Sequence, residues 1–484
     1  MPGFPSRRRF LAATATAAVW GSAGLLPVPL SRALAATPAP PRLVVERRTL
    51  EVLGRPATVF GIRRPDGRPG LLLDPGERFR VDLENRAGED TILHWHGMTP
   101  PYAQDGVADA GRPLLGPGAV QPYDFEARPG THWMHAHHGL QEQRLMAAPL
   151  IVRTAEDARA DMQEVVVLLH DFTFRDPEEV LAALTGGAAA HGGHGGHGGH
   201  GSHGGHAAPE AATADLNDVE YDAYLANDRS LEDPQVVRTE RGGRVRLRLI
   251  NGATSTAFHI DLGGLAGTVV AADGNPVAPV TGRRFGMAMG QRLDILLRIP
   301  PEGGVFPVLA QREGDRRRTG LLLATPGAVV GKVDPLAAAA AGPVDLSLEE
   351  RLTALEPLPA RPADAAFTIR LTGGMAPYAW SIDDRPYGRH RPLRVSRGQR
   401  VAVTMSNPGG MAHPMHLHGH HFQVVGLNGT PLAGAVRDTV LVPAQGSVTV
   451  VFDADNPGRW PLHCHNLLHM ATGMMTEVVY DGAA

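Results

Sequence analysis

GERFRVDLEN (residues 76–85), GGRVRLRLIN (242–251) and GQRVAVTMSN (398–407) are three versions of one segment. Each begins with glycine and alternates apolar with polar residues, which is the period of a half-buried β-strand. Each ends in asparagine, a residue suited to turns, and a histidine follows eight or nine residues later. The segments begin 166 and 156 residues apart, so they indicate three whole domains rather than a short solenoid repeat.

The composition favours the same architecture. The 484-residue chain contains 58 glycines and 41 prolines, which is typical of short strands joined by turns. We predict an all-β fold of three β-sandwich domains, with a linker that reads as extended between the second and the third. The predicted limits are residues 40–155, 160–330 and 363–484 for the domains, and 331–362 for the linker.

The first 35 residues read as a targeting segment rather than as part of the fold. Twin arginines, Arg7 and Arg8, precede an alanine-rich apolar run, and small residues lead to a cleavage position after Ala35. This pattern resembles a twin-arginine export signal. A short membrane anchor is the alternative, but the run is interrupted and too short to span a bilayer. We expect export by the twin-arginine machinery into the periplasm, without a stable membrane anchor.

Charge and cysteine content narrow the class further. A formal net charge of −4 gives no basic surface for nucleic acid or anionic lipid. The chain has 43% hydrophobic and 20% charged residues, as expected of a soluble globular protein, and we expect a monomer. Cys464 is the single cysteine, so no internal disulfide can form, and a lone thiol in an oxidising compartment must be buried or bound.

Four His-x-His pairs carry the chemistry. On a β-strand, residues i and i+2 face the same side, so each pair presents two imidazoles together. One such pair is weak evidence, because doublets also occur in zinc hydrolases, in cupins and on ordinary surfaces. Two pairs in the first repeat and two pairs at matching places in the third repeat together indicate a shared metal site. The pairs are His94/His96, His135/His137, His416/His418 and His463/His465.

The fourth pair brackets Cys464, whose side chain must point to the opposite face of the strand. His469 and Met474 follow it, and His413 lies upstream of the third pair. The odd spacing of His413 and the presence of Pro414 indicate a turn that re-aims this histidine. Two imidazoles, a thiolate and a thioether form the ligand set of a blue-copper centre.

The motifs HWHG, HAH, HPMHLHG and HCHNLLHMATGM resemble those of the three-domain multicopper oxidases, the laccase and copper-resistance oxidase group. The resemblance implies three cupredoxin-like Greek-key β-sandwiches and four copper ions. It implies type 1 copper on His413, Cys464 and His469 with Met474 axial, and type 2 copper on His94 and His416. It further implies one type 3 copper on His96, His135 and His465, and the other on His137, His418 and His463.

The resemblance also implies an activity, in which four one-electron oxidations at type 1 copper reduce O2 to water at a trinuclear cluster. Asp105 matches the acid expected to supply protons there, although an aspartate before Gly106 also suits a turn. The place where several bacterial members carry a second acid is Met470 here. His259, the counterpart in the middle repeat, has no paired histidine and is interpreted as structural.

The electron donor stays open between Cu(I), which would make the protein a copper-tolerance factor, and small phenols. Soft methionines favour Cu(I), but methionines also fill gaps in apolar surroundings. The candidates are Met411, Met415, Met470 and Met475. The alternatives are a laccase-like phenol oxidase with no metal role, a copper-sequestering periplasmic protein, and a copper-free structural protein of the same fold.

A glycine–histidine tract, HGGHGGHGGHGSHGGH at residues 191–206, lies within a predicted insert at 186–208 of the second domain. Its glycine-rich backbone is flexible and does not preorganise a catalytic site. We interpret it as an accessory, exchangeable copper-binding segment, with a solvated linker of no role as the alternative. Its six histidines are His191, His194, His197, His200, His203 and His206.

Overall fold

The computed structural model describes residues 40–108, 113–186 and 216–482. The predicted export signal and the glycine–histidine tract lie outside these residues. Within the described ranges, no helix combines the length and the apolar character that crossing a membrane requires.

Two four-stranded sheets form the first sandwich, in the orders β2-β1-β4-β6 and β3-β8-β7-β5. Strand β4 carries the first repeat segment, and its residues alternate between buried and half-buried, as predicted. The buried residues of both sheets meet in one core that includes Phe79, Trp95 and Leu150. The strands are β1 (Arg42–Val52), β2 (Arg55–Arg63), β3 (Leu71–Leu73), β4 (Phe79–Arg86), β5 (Leu93–His96), β6 (Val120–Phe125), β7 (Gly130–Ala136) and β8 (Ala147–Val152).

The second sandwich pairs a six-stranded sheet, β10-β9-β12-β17-β14-β15, with a five-stranded sheet, β11-β19-β18-β13-β16. Strand β12 carries the second repeat segment. The strands are β9 (Gln163–Phe172), β10 (Ala223–Ala226), β11 (Val236–Arg238), β12 (Arg244–Asn251), β13 (Phe258–Asp261), β14 (Gly267–Ala272), β15 (Asn275–Gly282), β16 (Arg284–Met287), β17 (Arg292–Arg298), β18 (Val305–Arg312) and β19 (Arg318–Ala324).

The third sandwich pairs the sheet β21-β20-β23-β29-β25-β26, with β27 beside β25, and the sheet β22-β31-β30-β24-β28. Strand β23 carries the third repeat segment. The strands are β20 (Ala365–Met375), β21 (Tyr378–Ile382), β22 (Leu393–Val395), β23 (Arg400–Asn407), β24 (His413–Leu417), β25 (Phe422–Leu427), β26 (Thr430–Pro431), β27 (Val436–Arg437), β28 (Thr439–Val442), β29 (Gly446–Asp453), β30 (Arg459–Cys464) and β31 (Met475–Tyr480). The prediction of an all-β fold of three sandwiches is confirmed.

Helices are few and short in the described chain. Asp176 caps the longest of them by accepting a hydrogen bond from a backbone N–H of the first turn, as aspartate commonly does. The α-helices are α1 (Ala155–Arg159), α2 (Pro177–Thr185) and α3 (Leu467–Ala471), and the 3-10 turns are Tyr102–Gln104, Gln141–Arg144 and Glu349–Arg351.

The repeated asparagine makes equivalent hydrogen bonds in each sandwich. The side-chain oxygens of Asn85, Asn251 and Asn407 each accept the backbone N–H two residues further on. Their side-chain amides donate to backbone carbonyls of nearby loops. Each asparagine therefore closes the turn that follows its strand, which is the physical reason for its threefold occurrence.

The segment at residues 331–362 holds one 3-10 turn and otherwise lacks regular structure. It is nevertheless packed, since Val344, Leu346 and Leu352 are buried in the core shared by the second and third sandwiches. The carbonyl of Gly342 lies 3.0 Å from Nε2 of His259. The segment thus joins the two sandwiches through buried side chains rather than as a free tether.

Candidate metal centre

Strand register places the four histidine pairs in two facing sets. Strand β5 runs antiparallel to β7 with His94 opposite His135. Strand β24 runs antiparallel to β30 with His416 opposite His463. Because the second member of each pair follows two residues later, every set presents four imidazoles on one side. We call these eight residues the histidine cluster.

Stacked imidazoles join the two sets across the first and third sandwiches. The rings of His96 and His416 stack with centroids 3.7 Å apart, and those of His94 and His418 with centroids 3.8 Å apart. The rings are buried except that of His137, which is half-buried. The cluster therefore lies between the first and third sandwiches, away from bulk water.

The donor atoms of the cluster approach one another in overlapping combinations, which include His94 with His96 and His135, and His94 with His416 and His418. Nε2 of His94 and Nε2 of His416 lie 3.4 Å apart. Donor atoms of His137, His418 and His463 all lie within 4.8 Å of one another. The remaining three rings have centroids 5.0–5.6 Å apart, and they belong to His96, His135 and His465.

Several ring nitrogens of the cluster are buried without any hydrogen-bond partner. They are Nδ1 of His96, Nε2 of His135, Nε2 of His137 and both nitrogens of His465. Burial holds the pKa of His135 and His418 well below the usual value, assisted by the neighbouring His94, so these rings are neutral. Unpaired buried nitrogens are costly, and neutral imidazoles are the form that binds metal. The donor set therefore fits bound copper ions.

Carboxylates lie within hydrogen-bond distance of one ring nitrogen of three histidines in the cluster. His418 Nδ1 lies 2.8 Å from Oδ2 of Asp105, and His135 Nδ1 lies 2.7 Å from Oε2 of Glu142. His96 Nε2 lies 3.1 Å from Oδ1 of Asp438, which explains why this ring points Nδ1 into the cluster. A carboxylate on one nitrogen fixes the tautomer and leaves the lone pair of the other for a metal.

Asp105, the predicted acid, is fully buried against the cluster. Its Oδ2 accepts from His418, while its Oδ1 has no hydrogen-bond partner. Oδ1 lies 3.3 Å from Nδ1 of His94, but that nitrogen lies closer, at 3.1 Å, to the main-chain oxygen of Asp105. One oxygen of this buried carboxylate is thus left without a hydrogen-bond partner.

Asp438 joins the cluster to a buried arginine. Its two oxygens accept from Nη1 and Nη2 of Arg292 at 2.6 and 2.5 Å, and its main-chain oxygen lies 2.9 Å from Nδ1 of His416. Burial opposes the charge of Asp438, but Arg292 holds the pKa of this carboxyl well below its usual range. Asp438 therefore stays ionised and orients two imidazoles at once.

The single cysteine lies in a second, separate donor set. Nδ1 of His413, Nδ1 of His469 and Sγ of Cys464 form a triangle with sides of 3.1, 3.7 and 3.7 Å. Its centre lies about 2 Å from each corner, close to the roughly 2.0–2.3 Å of metal–nitrogen and metal–thiolate bonds. Burial raises the pKa of the Cys464 thiol, so a bound cation is needed to hold the thiolate.

Regular strand alternation, rather than a turn, aims His413 at the cysteine. Residues 413–417 form one strand, with Met415 opposite Cys464 on β30. An odd separation from His416 places His413 on the opposite face, so the expectation that Pro414 makes a turn is wrong. Met474 is buried beside this set, and its carbonyl accepts from the backbone N–H of Cys464 at 3.0 Å.

Asp218, which sequence reasoning missed, supports the cysteine set. Its Oδ1 lies 3.2 Å from Nε2 of His469 and 2.8 Å from the hydroxyl of Tyr378, and its Oδ2 accepts from Asn466 at 2.6 Å. Glu142 and Asp438 were missed as well. None of the three carries a local pattern: Asp218 and Asp438 meet histidines far away in the chain, and Glu142 meets His135 through the 3-10 turn that follows β7.

The four methionines considered as soft donors divide into two kinds. Met411 and Met415 are buried in the apolar core, where they fill space. Met470 and Met475 are half-buried and line a pocket of about 420 Å³, together with Glu178 and His137. Only the second pair can meet a ligand from solvent.

Comparison with known proteins agrees with this geometry. Family models described as multicopper oxidase match residues 45–157, 163–325 and 360–483. The chain is 32% identical over 439 residues to a multicopper oxidase of Mycobacterium tuberculosis, covering 85% of this chain and 81% of that protein. It is 26% identical over 598 residues to a copper resistance protein A homolog of Pseudomonas syringae, covering 99% of each chain.

The fold matches solved structures of the same class. A crystal structure of Fet3p, described as a multicopper oxidase that functions in iron import, superposes with a TM-score of 0.75 at 16% identity. This match covers 91% of this chain and 90% of the other. The chain therefore belongs to the multicopper oxidase family. It is an oxidoreductase that uses O2 as acceptor and four copper ions, one type 1, one type 2 and two type 3.

Proposed function

We propose that this multicopper oxidase takes its electrons from Cu(I) and thereby supports copper tolerance. The carrying observation is the pocket lined by Met470, Met475 and Glu178. Met470 follows His469 in the chain and Met475 follows Met474, so the pocket adjoins the cysteine set. Thioethers select Cu(I), and a carboxylate offsets its charge. The relative named a copper resistance protein A homolog supports the same substrate.

The proposal assigns each copper ion to the residues that the resemblance implies. His413, Cys464, His469 and Met474 would hold type 1 copper, and His94 and His416 would hold type 2 copper. The type 3 ions take His96, His135 and His465, and His137, His418 and His463. Copper ions bound by these residues would supply one-electron transfer and the four-electron reduction of O2 to water.

The protein itself orients the copper-binding imidazoles, excludes bulk water from the cluster and supplies protons to it. Buried imidazoles keep bulk water out of the cluster, and the carboxylates behind them fix which nitrogen faces inward. Asp105 holds and releases a proton at Oδ1, the oxygen without a hydrogen-bond partner. Cys464 lies between His463 and His465 in the chain, so the two donor sets are joined covalently through one strand.

Turnover of Cu(I) against that of a phenol tests the substrate. A Met470→Leu/Met475→Leu variant should lose most Cu(I) oxidation and keep phenol oxidation, because leucine preserves the apolar surface but offers no thioether. Met162→Leu is the matched control, since Met162 is half-buried and does not line this pocket. Unchanged Cu(I) turnover in the double variant, measured at controlled free copper, would show that these methionines do not admit Cu(I). Phenol turnover without Cu(I) turnover in the wild type would favour a phenol oxidase with no metal role.

The proposal includes export by the twin-arginine route as a monomer, with domain limits of 40–155, 160–330 and 363–484. Replacing Arg7 and Arg8 with lysine should retain the precursor in the cytoplasm, as cell fractionation would show. An unaltered periplasmic yield would contradict this route. A single species of monomer mass in solution is expected by light scattering.

The proposal also gives the glycine–histidine tract an accessory copper-binding role. Deleting residues 191–206 should preserve the blue colour and phenol turnover, but weaken copper loading when the metal is limiting. The reason is that six closely spaced imidazoles can gather metal ions. Loss of the blue centre itself on deletion would contradict an accessory role.

A further inference from the structure

A cleft of about 540 Å³ lies between the first and second sandwiches. Residues of β2, β3 and β8 form one side, and residues of β9 with the turn after β10 form the other. None of the candidate copper ligands lines it. Its volume is within the range of small-ligand sites, roughly 300–1,000 Å³.

Guanidinium groups dominate the wall of this cleft. Two of them, Arg48 and Arg63, lie side by side above Gly61: their Nε atoms are 2.9 and 3.5 Å from the position that a Cβ there would occupy. Like charges so close repel each other unless an anion lies between or beside them. The lining arginines are Arg48, Arg63, Arg64, Arg153 and Arg229, against the carboxylates Glu164 and Asp228.

The two carboxylates are already paired. Asp228 accepts from Arg48 at 2.7 Å, while Glu164 lies 3.1 Å from Nε of both Arg153 and Arg248. Arg63 has no carboxylate within 4.0 Å among the described residues, and its Nε is buried without a hydrogen-bond partner. Its Nη1 donates only to the carbonyl of Gly67, at 3.2 Å.

Arg64 is in a similar position. Its Nε is also buried without a hydrogen-bond partner, and the nearest carboxylate oxygen, of Asp66, lies 3.7 Å away. Two adjacent residues that line the cleft thus each have a buried Nε without a hydrogen-bond partner. Unmet donors of this kind are costly when buried, and a carboxylate satisfies them with charge-assisted hydrogen bonds.

Apolar side chains also line the cleft. Ile62, Leu71 and Leu168 are buried in its floor, and Leu72, which is 42% exposed, lies at its rim. An inorganic anion would leave this floor uncovered. A ligand with a charged head and an apolar body would cover it and gain about 0.8 kcal/mol for each buried methylene.

We propose that this cleft binds a small carboxylate with an apolar body, its carboxylate beside Arg63 and Arg64 and its body on the aliphatic floor. Aromatic and aliphatic acids share this chemistry, so benzoate and hexanoate are the probes that distinguish the two sources. Acetate and phosphate lack the apolar body, and benzyl alcohol lacks the charge.

Calorimetric titration of the copper-loaded mature protein tests the proposal. Benzoate or hexanoate should bind with one-to-one stoichiometry, at least about tenfold more tightly than acetate, phosphate or benzyl alcohol. Whichever of the two acids binds more tightly identifies the kind of body that the floor prefers. Phosphate binding as tightly as both acids, or no binding of either acid at millimolar concentration, would overturn the proposal.

Two variants localise the site. Arg63→Gln should weaken binding of the preferred acid at least about tenfold by removing a charge-assisted bond. Leu72→Asp, at an exposed position that tolerates substitution, should weaken it by repulsion at the rim. Arg78→Gln is the control, because Arg78 is exposed and pairs with Asp124 elsewhere on the first sandwich. Wild-type affinity in both Arg63→Gln and Leu72→Asp would refute this location, and unchanged phenol turnover would show that both variants fold.

Discussion

Replacing Asp438 with asparagine should damage both the stability of the protein and its hold on copper. Asp438 forms two hydrogen bonds to Arg292, and both side chains are almost completely inaccessible to solvent. It also lies 3.1 Å from Nε2 of His96 and 2.8 Å from the hydroxyl of Thr439. The substitution keeps the shape of the side chain but removes the charge that all three neighbours face.

The size of the stability loss depends on which carboxylates remain near Arg292 in the variant. Its next carboxylate, Asp273, lies 3.6 Å away and is shared with Arg437. Removing one partner of a buried pair costs about 3–5 kcal/mol, and the remaining carboxylate places the expected loss near the lower figure. We expect the free energy of unfolding of the copper-free protein to fall by about 3 kcal/mol.

The loss of copper follows from the altered partner of His96. An amide at position 438 has one acceptor oxygen where the carboxylate has two. Arg292 and the imidazole of His96 therefore compete for that oxygen, and the ring is no longer held in one tautomer. Losing such an outer partner typically lowers metal affinity by about 10–100-fold. The asparagine variant should therefore give up cluster copper to a chelator at concentrations that leave the wild type intact.

Denaturant unfolding of the copper-free protein and chelator competition of the loaded protein measure the two effects. Asp124→Asn is the control, since Asp124 is 54% exposed in its pair with Arg78. Surface pairs of this kind contribute at most about 1 kcal/mol. If Asp438→Asn matches the control in both measurements, the buried carboxylate does not organise the cluster as argued here.

Three further outcomes are expected. Cys464→Ser should abolish the blue colour while part of the cluster copper remains, which absorbance and metal analysis would show; a blue variant would contradict the thiolate assignment. Asp105→Asn, compared with the wild type after both are fully loaded with copper, should lower O2 consumption at saturating donor by about 10²–10⁴-fold, and near-normal turnover would remove its proposed role. Burial raises the pKa of Glu313 from 4.5 to about 7. The folded state therefore binds the proton more tightly, and the free energy of unfolding should fall by about 3 kcal/mol between pH 4.5 and 7. Glu313→Gln should make the free energy of unfolding less dependent on pH in this range, as denaturation at several pH values would show. An unchanged pH dependence would contradict the raised pKa of Glu313.

Much of the fold follows from patterns that a strand imposes on its own residues. Side chains alternate between two faces, so apolar alternation in the repeat segments predicts β4, β12 and β23, and the structure confirms these strands. The same alternation puts the two histidines of a pair on one side and Cys464 on the other. It also governs His413, where Pro414 suggested a turn that the strand does not contain.

The surroundings of the copper ligands follow from no such rule. Asp218 reaches His469 across 251 positions in the chain, and Asp438 reaches His96 across 342. Glu142 meets His135 because a 3-10 turn packs back on β7. No local period marks these residues, since an aspartate or glutamate in a loop has the same appearance whether it is solvated or buried.

The sequence by itself determined the fold class, the ligand types and their division between two metal sites, because strand geometry is local. Tertiary structure alone decided which carboxylates orient the imidazoles, which methionines meet solvent, and which arginine Nε atoms are left without hydrogen-bond partners. Those features depend on how whole sandwiches pack against one another, and packing is the sum of contacts between residues far apart in the chain.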